Sequence, residues 1–258
     1  DYMITLWTYN RQDFPTKNWY VFCRRNPAGG APLKPFTFHT WDSEAALGQG
    51  VNEGSRWPDS TEVLTRWNNP TSSNDTGPVR MYWRLKTNAT FRQRWADRAQ
   101  QLMLNGGPLS PEAGIARFNA RAAEIDTAII GESARWGDSM FEWNDREGDP
   151  QGPPGVYTRD AEWMAECDRI RTQYLPQRTG YAIEQMRSVG LFPTIEAPVL
   201  NQYGGEYPPG FQLTMTNPNG TGLIAFTVDG TDPRTSPTTL MYSAPLPLSG
   251  AVLIRAAV

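Results

Sequence analysis

Histidine, cysteine and lysine are all scarce in this chain. His39 is the single histidine. A zinc site built from clustered His and Cys is therefore excluded, and a Ser-His-Asp hydrolase would depend on His39 alone. The cysteines, Cys23 and Cys167, lie far apart and form no CxxC pattern. A disulfide in an oxidising compartment and two unpaired core thiols both fit that spacing. Lysine occurs only as Lys17, Lys34 and Lys86, and the formal net charge of -3 gives no reason to expect a nucleic-acid partner. No apolar run is long enough to cross a bilayer.

What is present is a soluble composition with room for one large domain or two modest ones in 258 residues. The chain opens on Asp1 inside a structural pattern and shows no signal peptide, so it reads as an excised piece. Tyr2 to Tyr9 is aromatic and aliphatic, as at the end of a buried helix. Residues 10–18 are polar, contain Pro15 and read as a loop. Trp19–Cys23 and Phe36–Trp41 are β-like around a turn at Pro27–Gly30, which predicts a hairpin. Residues 48–77 are loop-rich.

Helices follow. Asn88 or Thr90 caps one that contains Phe91, Trp95 and Leu102 and stops at Asn105-Gly106-Gly107. Ser110-Pro111 starts the next, with Ile115, Phe118, Ile125 and Ile129 at near-helical spacing towards Gly137. After a Pro/Gly loop at 148–155, Thr158 opens a helix with Trp163 and Ile170. Pro176 starts a separate one, stopped by Gly190. Trp95, Trp136 and Trp163 fall in these helical patterns and read as core. Trp57 and Trp143 lie in loops, where an indole is free to stack on a sugar.

After Pro193 the pattern changes to strands: Phe211–Thr216 alternating, a turn at Asn217–Gly220, Leu223–Val228, then Val252–Val258. This predicts a small β-sandwich. The fold class is therefore α+β, with a mostly helical part at 1–193 and an all-β part at 194–258.

Two short motifs are candidates to carry chemistry, the alternatives being a solvated loop for the first and a turn or helix cap for the second. The first is Asn10-Arg-Gln-Asp13-Phe-Pro-Thr-Lys17-Asn18, with Asp and Asn five positions apart on one loop. The second is Trp41-Asp42-Ser-Glu44-Ala-Ala-Leu-Gly48, at the end of the hairpin. Phosphoryl transfer needs a carboxylate to take the proton of the attacking hydroxyl. It also needs an Asn amide oxygen and a second carboxylate to hold a divalent cation on the nucleotide phosphates. The order Asp13, Asn18, hairpin, Asp42 follows the plan of a protein-kinase catalytic loop and metal-binding Asp. Converging carboxylates repel one another, which a bound cation would relieve.

These motifs, with Phe91-Arg-Gln-Arg-Trp-Ala-Asp-Arg98, Ile125-Asp126, Glu132-Ser-Ala-Arg-Trp-Gly137 and Tyr174-Leu-Pro-Gln-Arg-Thr179, resemble the spore-coat CotH-type kinases over residues 1 to 190. The resemblance implies a kinase-like C-lobe that transfers the γ-phosphate of ATP to Ser or Thr of proteins with Mg2+ or Mn2+. It implies Asp13 as catalytic base, Asn18 and Asp42 as metal ligands and Glu44 as a further metal or phosphate-side carboxylate. Lys17 either approaches a phosphate or is a solvated loop lysine. No glycine-rich phosphate loop or strand lysine precedes Asp1, so the chain is expected to be inactive without a nucleotide lobe.

The tail, with Phe226-Thr-Val-Asp229-Gly-Thr-Asp232-Pro-Arg234, Tyr242 and Pro245, resembles the Ig-like sandwich at the C-terminus of chitobiase-type enzymes. Asp229 and Asp232 either form turns beside Gly and Pro or bind calcium. Together the two resemblances imply a secreted or surface-attached bacterial protein with a protein substrate and a cell-surface or glycan contact through the β-module. The alternative is a non-catalytic scaffold or pseudokinase whose β-module binds glycan or a neighbouring domain.

Overall fold

Trp7 is fully buried, and the first unit is assembled around it. The computed structural model describes residues 1–11, 18–24, 34–48, 57–69, 77–138 and 156–258. They form a mixed α+β chain that divides into Asp1–Phe192 and Pro193–Val258. Helix α1 (Tyr2–Thr8) is apolar nearly all round, which suits a helix buried on every side. The Trp7 ring meets Trp67, Tyr82 and Trp95 edge-on, at centroid distances of 5.4, 6.3 and 6.1 Å. Edge contacts of this kind contribute about 0.5–1.5 kcal/mol per pair beyond area burial. The partners come from α2 (Glu62–Asn68), α3 (Gly77–Leu85) and α4 (Ala89–Met103).

The reading of 48–77 as loop is corrected here, because α2 lies within it and α3 begins at its last residue. Seven residues are too few to hold a helix by propensity. Burial of Val63 and Trp67, one turn apart, stabilises α2 instead. Helix α4 begins as expected, with the Asn88 side chain accepting from the Phe91 N–H at 3.0 Å. Helix α5 (Pro111–Trp136) begins with Ser110 accepting from the Ala113 N–H and Pro111 in the first turn.

Trp136 is not core. It is half exposed, and the Arg135 guanidinium covers its ring at 5.0 Å. That cation–π contact shelters the indole at the surface.

The two helices expected around Pro176 are one continuous run, α6. Its segments are Arg159–Trp163, Met164–Arg169, Ile170–Tyr174 and Leu175–Ser188, the first and third of them π-helical. A proline inside an α-helix removes a hydrogen bond and strikes the carbonyl four residues back. The wider π turn at Ile170–Tyr174 directly precedes Leu175-Pro176 and lets the helix continue through the proline.

In the second unit the antiparallel pairs are β3 (Val199–Leu200) with β5 (Met215–Thr216), and β4 (Gln212–Leu213) with β8 (Leu246–Pro247). A three-stranded sheet has the order β7-β6-β9, built from Leu240–Met241, Ala225–Thr227 and Arg255–Ala257. The alternating stretch 211–216 is thus shared between two sheets. Leu213 and Met215 still face one core, with Ile224 and Phe226. The strand changes partners at Thr214, where Asn201 bonds the Thr214 N–H through its side chain and the Thr214 carbonyl through its own N–H. Asp229 and Asp232 form turns: Asp229 accepts from the Thr231 N–H and the Thr238 hydroxyl, and Asp232 pairs with Arg234.

Candidate functional site

Helix α1 ends in a way that aims the next residue at the hairpin. Asn10 has φ 52, the left-handed conformation that Asn tolerates better than most residues. The Asn10 N–H bonds the Trp7 carbonyl and the Arg11 N–H bonds the Leu6 carbonyl. This paired closure is a Schellman end, and it reverses the chain at Asn10. Arg11 therefore enters the protein, where it is 1 % exposed.

The hairpin consists of β1 (Trp19–Arg24) and β2 (Lys34–Thr40), paired antiparallel from Trp19↔Thr40 with an irregularity between Phe22 and Arg24. Its inner face rests on α1 through Phe38, whose ring lies 5.7 Å from Tyr2 and 6.3 Å from Trp19. Trp19 in turn lies over Gly77, where a β-carbon would meet the indole at 2.7 Å. On the other face His39 stacks on Tyr20 at 5.3 Å and meets Phe22 edge-on.

At the open end of the hairpin the Trp41 N–H donates to the Asn18 carbonyl at 3.3 Å. Asn18 and Asp42, on the two adjacent chains, both have left-handed backbones, with φ 63 and φ 53. Non-glycine residues adopt this conformation at a cost of about 1–3 kcal/mol and hold it only where surrounding bonds fix them. Arg11 supplies such bonds. Its Nη2 donates to the carbonyls of Trp41 and Asp42, the latter at 2.7 Å.

The far end of this loop is fixed as well. The Leu47 N–H bonds the Tyr9 carbonyl at 3.0 Å, and Arg169 Nη2 bonds the Leu47 carbonyl at 3.1 Å. Arg169 is itself paired with Glu166. The segment carrying Asp42 and Glu44 is thus strapped at both ends to the C-terminal end of α1, and at one end also to α6. Beneath it, buried Arg178 donates to the carbonyls of Trp7, Thr8, Pro58 and Ser60. Gln185 joins the Trp7 indole N–H to the same network. Burial lowers the pKa of Arg178, and these acceptors offset the cost of keeping its charge in the interior.

Of the residues expected at the site, Asn18 is bonded through its main chain to Trp41, the residue before Asp42. Glu44 lies exposed two residues further on the same loop, where its carbonyl bonds the Ala46 N–H. Asp13 and Lys17 lie outside the described residues, as does Trp143. Both cysteines are free thiols, and burial raises the pKa of Cys167.

Two residues of the first motif, Arg11 and Asn10, have no role in its pattern. Arg11 sits in a polar stretch that reads as a solvated loop. Only the helix-ending signal at Asn10 hints that the next residue turns inward. Asn10 is fully buried, and neither atom of its side-chain amide has a hydrogen-bond partner among the described residues. The donors expected at the site (the Asn18 amide oxygen and the carboxylates of Asp42 and Glu44) are hard oxygens, which would suit Mg2+ or Mn2+ and fit poorly with a soft metal. Comparison of this chain with family models, with curated proteins and with solved structures returns no match.

Proposed function

We propose that the chain is the metal- and acceptor-side part of an atypical protein kinase of the CotH type. The reaction is in-line transfer of the ATP γ-phosphoryl to a Ser or Thr hydroxyl of a protein. In this reading the first unit is a kinase-like C-lobe. The second is an Ig-like sandwich of the chitobiase kind, which contacts a surface or glycan in a secreted bacterial protein.

The observation that supports it most is the Arg11 tie. The residue two positions before Asp13 is bonded to the Asp42 carbonyl, so the chain entering the Asp13 loop and the chain carrying Asp42 are held as one piece. Asp13 orients the acceptor hydroxyl and takes its proton. Asn18 and Asp42 would hold the cation, Glu44 would add a carboxylate, and Lys17 is the candidate phosphate contact. A bound Mg2+ or Mn2+ supplies neutralisation of phosphate charge. The strapped loop keeps Asp42 in place, so little reorganisation accompanies transfer.

The test is transfer of labelled phosphate from ATP to a generic acceptor protein, using the full-length product of the gene that encodes this chain. The account expects metal-dependent transfer that falls about 10²–10⁴-fold in Asp13→Asn, the usual loss when a general base is removed. Transfer that persists in a chelator, or in Asp13→Asn, would contradict it.

The alternative reading is a non-catalytic scaffold or pseudokinase whose β-module binds glycan or a neighbouring domain. A full-length product that binds neither metal nor nucleotide, yet retains its surface contact, would select that reading.

A further inference from the structure

We propose that Asn105-Gly106 is a self-modification site, at which the Asn105 side chain loses ammonia and the main chain is rerouted through an isoaspartyl bond. This chemistry is independent of the phosphotransfer reading. The Gly106 main-chain nitrogen, once deprotonated, attacks the Asn105 Cγ carbon. A bond forms between that nitrogen and Cγ, the bond from Cγ to Nδ2 breaks, and ammonia leaves. Water then opens the cyclic imide at either carbonyl and leaves aspartate or isoaspartate at this position.

The chain contains the pair Asn-Gly twice, at 105–106 and 219–220. The two glycines share a left-handed backbone, with φ 75 at Gly106 and φ 72 at Gly220. The asparagines differ. Asn219 Oδ1 accepts from the Glu196 N–H at 2.8 Å, and its Nδ2 donates to the Glu196 carbonyl at 2.9 Å and to Asn217 Oδ1 at 2.8 Å. Ring closure swings the side chain onto the following nitrogen, so Asn219 must first give up bonds of this kind.

Asn105 carries no such tether. It is exposed just past the end of α4. Among the described residues neither its side chain nor the Gly106 N–H has a hydrogen-bond partner. A β-carbon on Gly106 would meet nothing within 4 Å, so the approach is open on that side as well. Asn105 itself has φ 52, and left-handed Asn and Gly are the residues that end a helix. The pair that stops α4 is therefore also the pair that cyclises most readily.

The product matters because the turn has no slack. The Gly107 N–H bonds the Leu104 carbonyl at 2.9 Å, and the Leu109 N–H bonds the Leu102 carbonyl at 2.6 Å. A β-carbon on Gly107 would sit 2.4 Å from the Gln101 carbonyl oxygen. An isoaspartyl bond adds one carbon to the main chain inside that closure and loosens the joint between α4 and α5.

The experiment incubates the full-length product in mildly alkaline buffer, native and in guanidinium chloride, and follows the peptides carrying both pairs by mass spectrometry. In the native protein Asn105 is expected to convert about 10–100-fold faster than Asn219, the size expected from the hydrogen bonds that Asn219 must break. In guanidinium chloride the two should convert at like rates, because the tethers are gone. Gly106→Ala should slow conversion at Asn105 in both conditions. The isoaspartyl form, isolated by chromatography, should melt below the unmodified protein.

A native Asn105 that converts no faster than Asn219 would overturn the proposal. So would a difference that persists unchanged in guanidinium chloride, which would assign it to local sequence alone. An isoaspartyl form that melts with the unmodified protein would overturn the loosening of the joint between α4 and α5.

Discussion

The guanidinium of Arg11 donates to the main-chain carbonyl of Asp42 at 2.7 Å, from a position where Arg11 is almost wholly buried. A side chain near the end of α1 thereby sets the geometry of a loop some thirty residues away, and it does so without using the Asp42 carboxylate. Hydrogen bonds from a charged donor contribute about 1.5–3 kcal/mol each. Arg11→Lys keeps the charge but loses the fork. It should leave the fold intact by circular dichroism and cut phosphotransfer by about 10²-fold, the scale expected for a displacement of about an ångström at a reacting centre. Arg11→Lys with wild-type transfer would show that the tie is only structural.

Arg178 is the larger structural risk. Its removal takes a buried donor from four carbonyls: Trp7 and Ser60 keep the Asn10 N–H and the Gln185 amide, while Thr8 and Pro58 lose the side-chain donor that reaches them. Arg178→Met fills much of the volume but restores none of those bonds. A loss of about 1–3 kcal/mol for each carbonyl left without a donor is expected in a urea titration of the first unit's unfolding. A smaller loss would mean that water replaces the donor.

Gly77 tests how the hairpin is seated. It has φ 50, and a β-carbon there would press into the Trp19 ring. Gly77→Ala adds a strained backbone to an overpacked contact, and a destabilisation of about 1–3 kcal/mol should appear in thermal melts. The paired change Gly77→Ala with Trp19→Leu should regain part of it, because only the steric share is relieved. Full additivity of the two changes would place Trp19 away from Gly77.

Acid should loosen the second unit. Hydrogen bonds from Thr231 and Thr238 hold the Asp229 pKa at about 2, below its ordinary 3.8. A depressed carboxyl contributes stability that is complete above its unfolded pKa and is lost as pH falls through its folded one. The window is therefore from about pH 4 down to about pH 2. Carbon-detected titration of the Asp229 carboxyl should show the low midpoint in the wild type and a higher one in Thr238→Val. An unchanged midpoint in Thr238→Val would remove that hydroxyl as a cause.

Local signals carried much of the element pattern. Asn88 and Ser110 cap the helices they were expected to cap, since a cap is written in a few adjacent residues. Helix α2 was not legible, because it is short and held by burial of Val63 and Trp67 against distant partners. Pro176 suggested a helix start because the compensating π turn before it leaves no mark in composition. Trp136 read as core because periodicity names a face without saying whether anything packs on it. At the site, the order of Asn18 and Asp42 across a hairpin was visible, and the structure joins their main chains through Trp41. Arg11 was not visible, because its partners are carbonyls, which every residue carries.

The most direct test of the phosphotransfer account is transfer of labelled phosphate from ATP with Mg2+ or Mn2+ by the full-length product, beside its Asp42→Ala variant. The account predicts incorporation into the acceptor protein by the wild type, and loss of both transfer and metal-dependent nucleotide binding in Asp42→Ala. Undiminished transfer by Asp42→Ala would contradict it.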